Sequence, residues 1–340
     1  MRDAVREALV GEEAWVVGGA VRDELLGRPL VDLDVAIADP ERAARRFARA
    51  SGGAPFPLSE RHGAWRVALD GGRTVDFTPL AGPLEDDLAT RDFTINAIAV
   101  PLAGGEPVDP YGGRADLATR CLRAVSDSIF ADDPLRLLRA VRLEDELGFC
   151  LDPSTEALLR ADAGRVGEPS GERIVGELER LSSDGFRRLD ELGLLEPLGG
   201  SLDRLNDRVD SSRYRLVSVF GDRLARSPVS NELRRYAAAL LRAERPPDDS
   251  PRSLHRFRRR TEPWADDALA FVDALDLAPA LERSRSTDPK EPLLRGDELG
   301  IPPGPEIGRL LELVAEERAA GTISTREEAL ELVRANVKRL

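Results

Sequence analysis

The chain has 340 residues, 33% of them charged and 41% hydrophobic, with a net charge of −13. That length supports a sizeable core spread over more than one module. No apolar run approaches twenty residues, which excludes a transmembrane helix, and the acidic balance argues against a nucleic-acid binder that works by bulk charge.

Cys121 and Cys150 are the only cysteines, and His62 and His255 the only histidines. This argues against a disulfide framework, excludes a histidine-rich metal site and suits a reducing cytoplasm, the expected location. The opening MRDAVREALVGEEAW lacks the apolar core of a signal peptide. Every basic residue except Lys290 and Lys338 is arginine, which grips phosphates and base edges through paired hydrogen bonds. A GC-rich coding sequence would also raise arginine, but it does not say where each arginine sits.

Residues 1–120 alternate short β-branched runs with helical patterns: WVVGG, VDLDVAI, WRVALD, RTVDFT and TINAIAV. WRVALDGGRTVDFT reads as a hairpin turning at Gly71 and Gly72. Connections this short predict a mixed or largely antiparallel sheet. After about residue 122 the strand signal disappears. IFADDPLRLLRAVRLEDELGF predicts a helix with Ile129, Leu135, Leu138 and Val141 near one face. STEALLRADAG and SGERIVGELERL follow, the second starting at Ser170 or Gly171. ERPPDDSPRSLHRFRRRTEP reads as a loop or module boundary. The end predicts a Pro-Gly turn, a helix, a turn, and a helix capped by Ser324 or Thr325 with Glu327 or Glu328 behind. The fold class is therefore α+β, a small mixed sheet first and helices after, with no fixed-period repeat.

Asp32-Leu33-Asp34 has strand spacing, so both carboxylates share one face while Leu33 points inward. Such a pair suits hard divalent cations, Mg²⁺ above all, which keep waters or substrate phosphates in their shell. Two cations there would serve an attacking hydroxyl and a leaving pyrophosphate. Asp76, in the neighbouring RTVDFT, is a candidate third carboxylate. A solvated strand edge is the plain alternative. Gly18 and Gly19 let backbone N–H groups approach a triphosphate at the start of a helix that carries Arg22. Taken alone, the glycine pair is equally an ordinary turn. His62, in RHGAW, reads as loop support rather than acid–base machinery.

GGAVRDELLGRPLVDLDVA resembles the signature of the class II tRNA nucleotidyltransferase and bacterial poly(A) polymerase family. RDFTINAIAV, DPYGGRADL, DDPLRLLRAVR and GERIVGEL resemble its second to fifth motifs in order, and LRGDELGIPPGPEIGRLL its tail region. The motifs span about half the chain. The resemblance implies a catalytic head at 1–122, a helical neck that templates the base at 123–182, a body at 183–255 and a tRNA-binding tail at 256–340. It implies nucleotide contacts at Arg91, Asp92, Asn96, Asp133, Arg136, Arg139 and Arg142, beside Gly18, Gly19 and Arg22. It also implies catalysis by Asp32, Asp34 and Asp76, with metal on Asp32 and Asp34. Thr90 stands where the family often has a second arginine, and Asp132 where many members have glutamate. Asn96 either orients the site or stabilises a turn. DPYGGRADL, through its glycines and Asp109, forms a head–neck hinge or a plain turn.

Asp133 and Arg136, three apart on the predicted helix, would share a face. Aspartate only accepts hydrogen bonds and arginine only donates them. Cytosine and adenine offer an amino donor beside ring acceptors, so both fit the pair. Uracil and guanine place an acceptor opposite the aspartate. Such a template selects CTP and ATP. Arg256, Arg258, Arg259 and Arg260 form the densest basic cluster, read as an RNA phosphate patch or as a solvated loop.

VDFTPLAGPLEDDLATRDFT leaves no room for a long loop between Asp76 and Arg91. Within the family that shortness resembles enzymes adding only C residues, so CC addition to the tRNA 3′ end is expected, with full CCA addition close behind. A poly(A) polymerase would extend many RNAs with ATP alone. An inert RNA-binding relative is disfavoured by intact Asp32, Asp34 and Arg136. A metal phosphohydrolase is rejected because RRYAAALLRAERPPDD has no histidine. The expected partners are the tRNA 3′ end, CTP and possibly ATP, with no membrane and no protein partner.

Overall fold

In a computed structural model, residues 1–59, 63–287 and 291–337 are described. The chain divides into two compact units, Met1–Leu198 and Gly199–Leu340. Among the described residues, no helix is long and apolar enough to cross a membrane.

The first unit is built on a six-stranded sheet of β1 (Ala14–Val17), β2 (Asp32–Ile37), β3 (Ala54–Ser59), β4 (Ala64–Ala68), β5 (Thr74–Pro79) and β6 (Ala99–Pro101), in the order β3-β4-β5-β2-β1-β6. Every neighbouring pair is antiparallel except β2 and β5. The sheet is thus mixed and mostly antiparallel, as the short connections imply. That one parallel pair needs a crossover, supplied by the Pro40–Ser51 helix and the β3–β4 hairpin. The helix starts where Asp39 accepts the Arg42 N–H at 3.0 Å with Pro40 in the first turn, and stops at Gly52, φ +74°. Its apolar stripe of Ala43, Ala44, Phe47 and Ala48 is buried, and the Phe47 ring tilts against Phe77 at 6.1 Å. Gly71 and Gly72, at φ +75° and +73°, turn the β4–β5 hairpin as expected.

Four local expectations need correction. TINAIAV is not one strand: Thr94–Asn96 is a single 3₁₀ turn and only Ala99–Pro101 is extended. The Asp92 carboxylate takes the Phe93 N–H at 2.8 Å and the Asn96 amide at 2.9 Å, so side chains compete with the ladder for backbone partners. The strand signal does not end at 122, because β7 (Cys121–Leu122) pairs in parallel with β8 (Cys150–Leu151). The predicted 129–147 helix breaks into Ile129–Asp132 and Leu135–Leu147. Pro134 pushes the preceding residue out of the α region, and Asp133 lies at φ −145°, ψ 99°. Ile129, Leu135, Leu138 and Val141 are all buried nonetheless. DPYGGRADL builds a helix start: Asp109 accepts from the Gly113 and Arg114 N–H groups at 2.7 and 2.9 Å. A Cβ at Gly113 would lie 2.1 Å from the Thr94 carbonyl oxygen, so only glycine lets the third motif seat on the second.

The second unit is helical. The fourth correction falls here, since SPRSLHRFRRRT is no loop but the Pro251–Thr261 helix, begun by Ser250 accepting the Ser253 N–H and burying Leu254, His255, Phe257 and Thr261. Pro305–Ala319 and Arg326–Asn336 close the unit around Leu310, Val314, Ala329 and Val333, the last helix opened by a Thr325–Glu328 capping box.

Candidate active site

The sheet register sets the carboxylates. Asp34 on β2 lies opposite Asp76 on β5, and Asp32 lies opposite Thr74. Leu33 is buried at 1% exposure, while on the other face Asp32 is exposed and Asp34 half-buried. Asp32 accepts the Thr74 hydroxyl at 2.7 Å. Arg66 on β4, opposite Asp76, donates to both its carboxylate oxygens at 2.6 Å. Burial, then the charges of Asp76 and Asp32, push the Asp34 carboxyl up to about 6, against the opposing pull of Arg91 and Arg139. Asp34 is therefore a carboxylate whose charge burial and two neighbouring carboxylates disfavour, and which added positive charge would favour. A hard cation between Asp32 and Asp34 would supply it, and oxygen donors suit Mg²⁺. Asp76 has both oxygens engaged by Arg66. Among the described residues, no three His, Cys, Asp or Glu side chains cluster as a complete metal cage. A cation here would draw its remaining ligands from water and phosphate.

Gly18 joins β1 to the Gly19–Leu25 helix at φ +70°, ψ −140°. A Cβ there would approach Arg91 Nη1 at 3.3 Å and Asp34 Oδ2 at 3.5 Å. The positive φ is what favours glycine; a Cβ would only press lightly on the movable end of Arg91. Arg91 is tethered to Asp87 at 2.7 Å. Asp92 is buried, and accepts from Arg139 Nε at 2.8 Å as well as from Phe93 and Asn96. Burial alone would raise its carboxyl, but Arg139 and these hydrogen bonds hold it below the usual range.

Asp133, in the break before the Leu135–Leu147 helix, accepts from Arg173 Nη2 at 2.7 Å and from the Leu135 N–H at 3.2 Å. Arg136 donates to the Thr90 carbonyl at 2.7 Å. Asp133 and Arg136 meet at one cleft, although not on one helical face.

That cleft has a volume of about 220 Å³. It gathers Gly18, Gly19 and Asp34 from the first motif, Arg91, Asp92 and Asn96 from the second, and Asp133, Arg136 and Arg139 from the fourth. Asp32 and Asp76 flank it on the sheet. Arg22 and Arg142 do not reach it. Arg22 is held by Asn96 at 2.8 Å and by Asp23 at 3.0 Å, while Arg142 is 4% exposed and bridges Glu146 and Glu177. His62 lies outside the described residues. In the second unit, Arg256, Arg258, Arg259 and Arg260 each face a carboxylate, of Glu316, Glu262, Glu312 and Glu244 respectively. Their charge is largely compensated.

Two site residues escaped the sequence reading. Arg173 also lines the cleft; its only signal is its place inside GERIVGEL. Arg66 had a legible one, because a hairpin turning at Asp70–Gly72 puts it opposite Asp76.

A glycine turn from a strand, paired carboxylates on the next strand and a polar cleft lined by arginines define a nucleotidyltransferase head. The pattern of the Poly A polymerase head domain matches residues 14–80 and 66–123. The A-adding tRNA nucleotidyltransferase of Deinococcus radiodurans is 34% identical over 93% of this chain and 94% of its own length. The CC-adding tRNA nucleotidyltransferase of Geobacter sulfurreducens is 32% identical over 94% and 91%. The solved structure of a CCA-adding enzyme with ATP superposes with a TM-score of 0.77 over 99% of this chain and 94% of that one, at 22% identity, a likeness of fold. The chain belongs to the class II tRNA nucleotidyltransferase family, and is an enzyme of its CC-, A- or CCA-adding kind.

Proposed function

We propose that this protein adds C residues to the 3′ end of tRNA from CTP, releasing pyrophosphate. The observation that carries the CC preference is the connection from β5 to the Leu84–Ala89 helix, only residues 80–83. A template that serves C and then A must shift between two bases, and this short connection, with Pro79 and Pro83 at its edges, has little slack for a moving element.

Asp32 and Asp34 hold divalent cations, Mg²⁺ by donor chemistry, which when bound supply positive charge at the transferring phosphate. Asp76, clamped by Arg66, stands across the register from Asp34 and adds a second carboxylate beside a cation there. The Gly18–Gly19 backbone and Arg91 receive the triphosphate. Asp133 accepts the amino group of the base and Arg136 donates to its ring acceptors, which rejects UTP and GTP. Asn96 orients Arg22 and Asp92 around the turn, and Asp92 holds Arg139 at the cleft wall. The head covers residues 1–122, the neck 123–182, the body 183–255 and the tail 256–340, with the Pro251–Thr261 helix running across the last boundary.

A second reading, A addition, is favoured by the 34% identity to an A-adding relative over almost the whole chain. The test supplies Mg²⁺ and tRNA transcripts ending before the CCA, after CC, or at a random 3′ end, with CTP, ATP or both. Two C residues added to the first substrate and nothing to the second is the expected result. Addition of A to the CC-ended tRNA refutes CC-only specificity. Extension of random RNA with ATP alone makes the protein a poly(A) polymerase, and no incorporation with intact tRNA binding makes it inert.

A further inference from the structure

Cys121 and Cys150, the chain's only two cysteines, are register partners in the β7–β8 ladder. The Cys150 N–H bonds the Arg120 carbonyl and the Asp152 N–H the Leu122 carbonyl, each at 3.0 Å, which fixes that register. Register partners on adjacent strands lean to the same face, and the strand spacing of about 4.8 Å lies within the roughly 4.4–6.8 Å Cα separation that a disulfide spans. Leu122 and Leu151 fill the buried face. The two thiols therefore share the open one, Cys150 exposed and Cys121 partly buried, both free.

We propose that Cys121 and Cys150 form a reversible dithiol–disulfide site, oxidised by low-molecular-weight disulfides of the glutathione type. Cys150 is the attacking thiol. Burial, and then the Asp116 and Asp152 carboxylates, hold the Cys121 thiol above its ordinary value, so Cys121 is the slower nucleophile. The Cys150 thiolate breaks the S–S bond of the small disulfide, forms a mixed disulfide and expels one small thiolate. The Cys121 thiolate then attacks the Cys150 sulfur and expels the second. Two protein thiols are oxidised, one small disulfide is reduced to two thiols, and the two protons pass to the departing thiolates. The bond closes the segment 122–149, which carries Asp133, Arg136 and Arg139. That segment already joins the second motif through Thr94 N–H to Arg123 carbonyl at 2.9 Å and Val125 N–H to Asp92 carbonyl at 3.1 Å.

The full-length protein is equilibrated in glutathione redox buffers, folded and in urea, and read by thiol titration, intact mass and peptide mapping. Expected is an intramolecular Cys121–Cys150 link reversed by dithiothreitol. Its effective thiol concentration should exceed that of the urea-unfolded chain by about tenfold or more, and the oxidised protein should melt roughly 3–8 °C higher. Cys121→Ser should stop at a stable glutathione adduct on Cys150, and Cys150→Ser should react more slowly. An effective concentration no higher than in urea overturns the proposal. So does a glutathione adduct that persists on Cys150 in the wild-type protein, or linkage found only between molecules.

Discussion

Asp34 offers the sharpest test of the site, because its function and its stability pull in opposite directions. Its carboxyl is raised from 3.8 to about 6, first by burial and then by Asp76 and Asp32. Between those pH values the folded protein keeps a proton that the unfolded chain has lost, so stability falls as pH rises through the window and the full cost persists above it. The shift corresponds to about 3 kcal/mol, an upper figure that residual denatured-state structure reduces. Asp34→Asn keeps the shape and removes the charge. In chelator at pH 8 it should stabilise the Met1–Leu198 unit by about 1–3 kcal/mol, a rise in Tm of roughly 3–10 °C. At pH 4 the difference should vanish. Mg²⁺ or Mn²⁺ should raise the Tm of the wild-type protein and leave the variant unmoved, while nucleotide addition by the variant falls to background. Thermal melts across pH, with and without metal, read all of this. A variant no more stable than wild type at pH 8, or a difference independent of pH, would refute the reasoning that burial and the neighbouring carboxylates disfavour the Asp34 charge.

Asp92→Asn should cost about 2–3 kcal/mol at pH 7 in urea unfolding, below the usual range for a broken buried pair because the Arg139 side chain keeps 39% exposure. Asp92 is held below the usual carboxylate range, so its contribution is present above the ordinary aspartate value and fades as pH falls through the lowered one; the penalty should shrink in acid. Arg142→Ala should cost about 3–5 kcal/mol, since Arg142 and Glu177 are 5% and 12% exposed, with KM for CTP unchanged in the folded variant. A raised KM with little destabilisation would instead restore Arg142 to the nucleotide site. Arg173→Ala should leave stability within about 1 kcal/mol, its pair with Asp133 being half exposed, yet raise KM for CTP and relax discrimination against UTP; unchanged fidelity would remove Arg173 from the base template.

Legibility in the sequence followed the range of the interactions. The Asp32–Asp34 strand and the Gly71–Gly72 hairpin were readable because alternation and turn chemistry act within a few residues. The same hairpin implied Arg66 opposite Asp76, a deduction that needed only the register. The break at Asp133 was also written locally, in Pro134, but helical periodicity drowned it. Arg142 shows what helix geometry does to a repeated spacing. Arg136, Arg139 and Arg142 recur every three residues, and at about 100° per residue each step turns some 60° back around the helix. By Arg142 the face has rotated about a third of a turn, away from Thr90 and towards Glu177. The Asp133–Arg173 pair spans forty residues, and no local pattern encodes it. The 256–260 arginines carried a global hint instead. With 62 acidic against 49 basic residues, an arginine cluster has more carboxylates available than it can use, and the Pro251–Thr261 helix lays its cations beside them. An RNA phosphate reaching that helix would have to displace Glu312 and Glu316, so any affinity there is an exchange of anions rather than the filling of a bare positive patch.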